Sequence, residues 1–224
     1  MSIYYLEIDI ICIVILLILL DKFKDECELN STSKYYKATL LTTIFFSFFD
    51  LITGILRGTM HEYSRLVLII SNSLYLWSGS LIGYFYTNYI LHKIEMKQKN
   101  WQKILIFIPV ILVMVSLIIN LFNRMLFNIN ENNLYSRSKY TYLFNIIIAI
   151  YIVIILFNLL HCYFKNINNR KKQEEIKNLL IFIGIPIISA FIQNLYSITI
   201  EQASLTLSIL FIYFDFQKKR FYCR

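Results

Sequence analysis

The chain has 224 residues, of which 58% are hydrophobic and 16% charged, with 5 Gly, 2 Pro and a net charge of +8. A soluble domain carries roughly a quarter charged residues, and a soluble chain of this length could not hide so much apolar surface in one core. The positive charge does not point to nucleic acid, because Lys and Arg fall in separate short clusters rather than on one face with aromatic partners.

Between those clusters lie apolar stretches of about 18 residues or more, the length that crosses a hydrocarbon core roughly 30 Å thick. In lipid every backbone polar group must be paired within its own segment, and these stretches are too long and too evenly apolar for barrel strands. Seven transmembrane helices are therefore predicted, over residues 3–20, 36–56, 66–91, 104–122, 140–164, 179–196 and 198–216. The fold class is an all-α membrane protein, a single domain over 1–217 followed by a short basic tail, 218–224. No internal repeat or low-complexity linker divides it.

The first span has no positive leader and no small-residue cleavage site after it, so it reads as a retained helix rather than a secretory signal. Glu7 and Asp9 lie near its start. The second carries Asp50 about two turns inside, too deep for a short side chain to reach the interface. The third holds Asn72, Ser73 and the run Ser78-Gly79-Ser80-Leu-Ile-Gly83, whose small residues four apart let helices approach closely. Its Tyr75, Trp77, Tyr84, Tyr86 and Tyr89 suit either a pocket lining or an aromatic belt. Pro109 in the fourth span and Pro186 in the sixth each remove a helix hydrogen bond, making either a hinge or a fixed bend.

After the fourth span, residues 126–137 alternate apolar and polar on either side of an Asn/Glu turn. That pattern predicts a short β-hairpin, either a lid with Tyr135 and Arg137 facing inward or an ordinary connection. Asn120 and Asn145 flank this loop. The sixth span ends with Gln193, Asn194 and Tyr196. The seventh begins with Glu201, Gln202 and Ser204 and ends with Asp215, expected to pair with Lys218 or Lys219.

Orientation follows from the basic residues. Arg57, Arg65, Arg124, Arg137 and Lys139 are the only ones on one side of the predicted spans; all other Lys and Arg lie in the opposite loops and the tail. The rule then predicts an outside N-terminus and a cytoplasmic C-terminus in a multi-pass protein of the cell membrane. With that direction, most polar residues within spans gather in the outer half. An ionisable group in a span is costly and marks a functional site by default. For Asp50 that reading is preferred. For Glu7, Asp9 and Glu201, simple reach to interfacial water is the preferred alternative. Cys12, Cys27, Cys162 and Cys223 match no zinc or redox spacing and read as free thiols.

No catalytic motif is present. There is no His-Glu-x-x-His, no Gly-x-Ser-x-Gly elbow and no phosphate loop. No Lys lies inside a span to carry a retinal Schiff base. Neither an enzyme activity nor a cofactor or metal is expected.

The last third reads Phe182-Ile-Gly-Ile-Pro186, then Phe191-Ile-Gln193-Asn-Leu-Tyr196, then Leu205-Thr-Leu-Ser208 and on to Tyr213 and Gln217. These segments resemble the last two spans of the seven-span sensory membrane region that precedes GGDEF diguanylate cyclase domains in bacteria. Asn132-Asn-Leu-Tyr135-Ser-Arg137 is similar to the outer loop of the same proteins, and Tyr5-Leu-Glu-Ile-Asp-Ile suits their opening. The resemblance implies a receptor that works as a homodimer or through a cytoplasmic partner. No Gly-Gly-Asp/Glu-Glu-Phe is present, so the chain is not expected to make cyclic di-GMP; the resemblance implies the receptor part alone, as a truncated product, a trimmed chain or a receptor with a separate output.

The expected function is thus a sensor in the lipid bilayer that binds an external small molecule. Its expected ligand residues are Glu7, Asp50, Asn72, Tyr75, Trp77, Gln193, Tyr196, Gln202, Tyr135 and Arg137, with Pro109 and Pro186 as hinges and Gly79 and Gly83 as packing contacts. A small transporter or channel using Asp50 with Glu7 or Asp9 is one alternative, and a remnant that merely inserts is another. Nucleic acid is not an expected partner.

Overall fold

A computed structural model describes residues 3–24, 31–59, 63–196 and 200–223. The described chain is mostly helical: α1 (Ile3–Lys24), α2 (Ser31–Leu56), α3 (Ser64–Lys93), α4 (Asn100–Asn123), α5 (Tyr142–Lys165), α6 (Arg170–Tyr196) and α7 (Glu201–Cys223). Between α4 and α5, β1 (Phe127–Ile129) and β2 (Tyr135–Arg137) pair antiparallel, with Ile129 opposite Tyr135. Of the helices, α2, α3, α4 and α5 are long and apolar enough to cross a membrane.

Several helices run past the apolar stretches that predict them. α6 begins at Arg170, nine residues before its apolar run, and Arg170 and Glu174 pair at 3.9 Å one turn apart. Lys, Glu and Gln are good helix formers, so the backbone continues through residues that hydropathy alone assigns to a loop.

The clearest membrane signature is the outer surface. On α4, Ile106, Val110, Val113, Leu117 and Asn120 form one buried face, at helical spacing. The other faces are apolar too: Ile104, Phe107, Ile111, Met114, Val115 and Ile118 are exposed. A helix that is apolar all round must be covered by protein or by lipid, and a continuous apolar surface of this extent is foreign to a soluble monomer.

α3 is the centre of the bundle, touching α2, α4, α5 and β1, while α7 packs on α6, α1 and α2. Two glycines permit the close approach of α3 to α5. A Cβ on Gly83 would stand 2.5 Å from the Tyr151 ring, and one on Gly79 would stand 2.8 Å from the tip of Phe144. Among the described residues the core forms two clusters. One lies beneath the hairpin around Leu76, Leu117, Phe127 and Ile129. The other occupies the opposite, lysine-rich end, around Leu16, Tyr36, Tyr89 and Ile209.

Buried hydroxyls mostly serve their own helix. Thr39, Thr43, Ser78 and Thr87 each donate to the carbonyl four residues back at 2.7–2.9 Å, which satisfies them without a partner helix.

The gap that Pro186 leaves is filled from another helix. Pro186 has no N–H for the Phe182 carbonyl four residues back, and Ser208 of α7 donates to that oxygen at 2.8 Å. Ser208 Oγ also lies 3.0 Å from the Tyr86 hydroxyl of α3. Beside Pro109, the Tyr151 hydroxyl donates to the Ile106 carbonyl at 2.9 Å. Ser208→Ala should therefore strip a buried carbonyl of its donor and cost about 1–3 kcal/mol. In a Pro186→Ala background the helix regains its own N–H, and the same change should cost clearly less; equal losses in thermal unfolding of both backgrounds would refute the link.

Candidate functional site

At the hairpin end of the bundle the helices and hairpin enclose a cavity of about 400 Å³. Asp50, Thr53, Gly54 and Arg57 line it from α2 and the turn after it. Leu68, Asn72, Tyr75 and Leu76 line it from α3, and Gln202 from α7. The hairpin supplies Ile129, Asn133, Tyr135 and Arg137.

The hairpin is built and docked by asparagines. Asn130 turns the chain: its Oδ1 accepts from Leu134 N at 2.8 Å and its carbonyl from Asn133 N at 3.1 Å. Asn133 sits at φ 54°, a left-handed conformation that Asn tolerates better than most residues. From there its amide donates to the Thr59 carbonyl at 2.5 Å and to Ser64 Oγ at 2.8 Å, and its own carbonyl accepts from Gly58 N at 3.1 Å. Asn120, at the end of α4, accepts from Leu126 N and Phe127 N at 2.7 and 3.2 Å. Phe127 and Ile129 point into the core while Ser136 faces out. The hairpin is thus pinned at both ends. Asn133→Ala removes the amide contacts and strains the turn, for a loss of about 2 kcal/mol. Faster proteolytic cutting within residues 124–141 is the expected sign, and unchanged cutting would count against the docking role.

Asp50, Arg57 and Arg137 line the same cavity, and Arg137 acts electrostatically on Glu201. Gln202 Nε2 donates to Asp50 Oδ2, joining α7 to α2. Tyr75 stacks on Phe46 with ring centroids 4.3 Å apart and is hydrogen-bonded to Glu201. Asn72 donates to the Leu68 carbonyl of its own helix at 2.8 Å. Tyr135 stacks on Phe127 at 5.8 Å and is hydrogen-bonded to Arg137. Burial pushes the Tyr135 phenol up from its ordinary pKa, and Arg137 and Arg57 pull against that shift. Asp9 of α1, 4% exposed, lies within electrostatic reach of Asp50, as does Glu201. Among the described residues, no three His, Cys, Asp or Glu side chains are grouped to hold a metal.

The structure therefore brings together Asp50, Asn72, Tyr75, Tyr135, Arg137 and Gln202 of the expected ligand set. It does not bring in two others. Glu7 is exposed on α1, and Trp77 packs between the two core clusters, its indole N–H without a partner among the described residues. The side chains of Gln193 and Tyr196 lie outside the described residues. Thr53, Gly54, Arg57 and Asn133 were not anticipated as lining. Arg57 carries only an orientation signal in the sequence; for Asn133 the turn pattern was the available clue.

One acidic residue departs from expectation, and a second has a partner that the sequence did not indicate. Asp9 is buried rather than reaching the interface. Asp215 pairs with Lys93 at 2.9 Å, because the lysine-rich ends of α3 and α7 lie side by side, and Lys93 also sits 4.6 Å over the Phe216 ring; the side chains of Lys218 and Lys219 lie outside the described residues.

From the cavity, polar contacts descend along α7. Ser204 and Ser189 of α6 are 2.6 Å apart, Ser208 binds α6 and α3, Tyr36 of α2 donates to the Ile209 carbonyl at 3.1 Å, and Asp215 meets Lys93. A small apolar void of about 110 Å³ lies beside Pro186, lined by Gly83, Tyr151 and Ile187. No family model matches the chain, and neither a curated protein nor a solved structure matches it.

Proposed function

We propose that the chain is a seven-span membrane sensor, with its N-terminus and hairpin outside and its lysine-rich end in the cytoplasm. A small polar solute enters the cavity under the hairpin. It binds to Asp50 and to the arginines Arg57 and Arg137, which line the cavity as separate charges, beside the rings of Tyr75 and Tyr135. The observation that carries this reading is the coupling of that cavity to α7 through Gln202, and of α7 to α2, α3 and α6 down its length. A ligand that competes with Gln202 for Asp50 binds the two arrangements of α7 unequally, which is the requirement for a signal. The void beside Pro186 gives α6 and α7 room to shift. The output lies with a cytoplasmic partner or a homodimer, in keeping with the GGDEF proteins that the sequence resembles.

The test is a fusion of residues 1–217 to a diguanylate cyclase domain, with cyclic di-GMP read in cells given a panel of amino acids, amines and organic acids. A dose-dependent change with at least one solute is expected, and the cyclase works only if the fusion point is cytoplasmic. A flat response across the panel with a folded, inserted fusion would sink the proposal.

The burial of Asp9 near Asp50 favours a second reading, a proton or cation transporter. Against it, Asn88 and Asn158, the strongest polar candidates nearer the lysine-rich end, each donate to their own helix at 2.9 and 2.7 Å. Solute-driven proton flux in proteoliposomes would favour the transporter.

A further inference from the structure

The lysine-rich end holds a second cavity, of about 380 Å³, between the α3–α4 turn, the end of α5 and the start of α6. Lys97, Lys165, Lys172 and His161 line it, together with Asn158 and Asn166. One acid, Glu95, lines it and pairs with Lys172 at 3.0 Å, and Glu175 of α6 also acts on Lys172 from outside the lining. Among the described residues Lys97 and Lys165 make no ion pair, so the basin is net positive.

A narrower slot of about 140 Å³ adjoins the basin, sharing Met96 and Asn158 with it. It runs between α4 and α5, where Leu91, Leu105, Ile106 and Ile154 make its walls apolar. These two helices touch only sparsely. At the slot stands Gln98, whose amide nitrogen and oxygen are both buried and without a hydrogen-bond partner among the described residues. A buried amide with neither bond made is rare and calls for an explanation. Trp101, exposed at the same level, has the amphipathic character of a residue at the membrane interface.

Positive charge, then an unmet amide, then an apolar slot follow one another along a path from the helix ends toward the middle of α4 and α5. This is the order of groups in a phospholipid. We propose that the basin and slot bind one anionic phospholipid. Its phosphate lies against Lys97, Lys165 and Lys172, its ester or glycerol oxygens meet Gln98, and one acyl chain fills the slot beside Leu105 and Ile154. Basic pockets between membrane helices are recognised lipid-headgroup sites. A free phosphate would use the lysines alone and leave both the slot and Gln98 without a role. The inference needs α4 and α5 to lie in a bilayer and is independent of what the hairpin-end cavity binds.

The experiment is native mass spectrometry of the full chain in neutral detergent, titrated with dioleoyl phosphatidylglycerol, dioleoyl phosphatidylcholine or glycerol 3-phosphate. One phosphatidylglycerol should be retained at least about tenfold more tightly than phosphatidylcholine, and millimolar glycerol 3-phosphate should not displace it. The triple change Lys97→Gln, Lys165→Gln and Lys172→Gln should weaken that binding by about tenfold or more. An equal loss of charge at the same end but outside the basin, Lys22→Gln, Lys34→Gln and Lys37→Gln, should leave it intact. Gln98→Leu should weaken it severalfold. Equal retention of both lipids, or equal weakening by both triple changes, would overturn the site in favour of diffuse surface attraction. Displacement by glycerol 3-phosphate would overturn the lipid and leave a site for free phosphate.

Discussion

Asp50→Asn should abolish the solute response of the fused cyclase, moving its midpoint by at least about 100-fold. Asparagine has the shape of aspartate and keeps an oxygen for the Gln202 amide, so the α2–α7 contact survives. What is lost is the negative charge in a half-buried cavity that also holds Arg57 and Arg137. When the bound solute carries the opposite charge, removing the Asp50 partner of that ion pair costs on the order of 3 kcal/mol, which is the stated factor. Asp50→Ala should differ in kind. It leaves the Gln202 amide unmet, so it should lower thermal stability as well as response. Glu7→Gln, on the exposed face of α1, should change neither. An unaltered dose–response in the Asp50→Asn fusion, with normal membrane insertion, would remove Asp50 from the site.

Gly83→Leu should be the most damaging single change to the bundle. Even the first added carbon, a Cβ, would lie 2.5 Å from Tyr151 Cδ2 and 3.1 Å from Cγ, the root of the ring rather than its tip. Tyr151 cannot swing away: it is 1% exposed and its hydroxyl is tied to the Ile106 carbonyl. Overpacking of this kind costs about 1–3 kcal/mol for small additions and more when the backbone must move, so Gly83→Ala should already lower the unfolding midpoint. Gly79→Ala should be milder, because its close contact is the far end of Phe144, a half-buried ring. Gly184, with nothing within 4 Å of its added Cβ, should accept alanine with a small gain in stability, since alanine favours helix by roughly 1 kcal/mol. Tyr151→Ala should cost less in the Gly83→Ala background than in the native one, because there it also relieves the clash. Thermal unfolding in one detergent compares these variants; equal effects of alanine at the three glycines would refute the close-approach account.

The number and rough extent of the helices were legible in the sequence, because apolar runs between charge clusters leave a membrane-sized chain few other ways to pair its backbone. The asparagine-centred alternation between α4 and α5 was equally legible as a turn between short strands. The gathering of polar residues toward one end could be read from position along each run, since depth follows from rise per residue. Direction around the helix could not. Glu7 and Asp9 are two residues apart, about 200° around α1, and one is exposed while the other is buried. Tyr75 and Trp77 differ in the same way, the first lining the cavity and the second turned into the core. In a helix that is apolar on every side, the sequence carries no stripe to say which face meets protein and which meets lipid. Partners far apart in the chain were also hidden. That Asp215 meets Lys93, and that Ser208 answers the carbonyl freed by Pro186, depends on how α7 lies against α3 and α6. Composition and spacing determined that helices form and where their apolar centres lie; only their packing decided which polar atoms share a cavity, because that choice is made by the close contacts of facing side chains such as Gly83 and Tyr151.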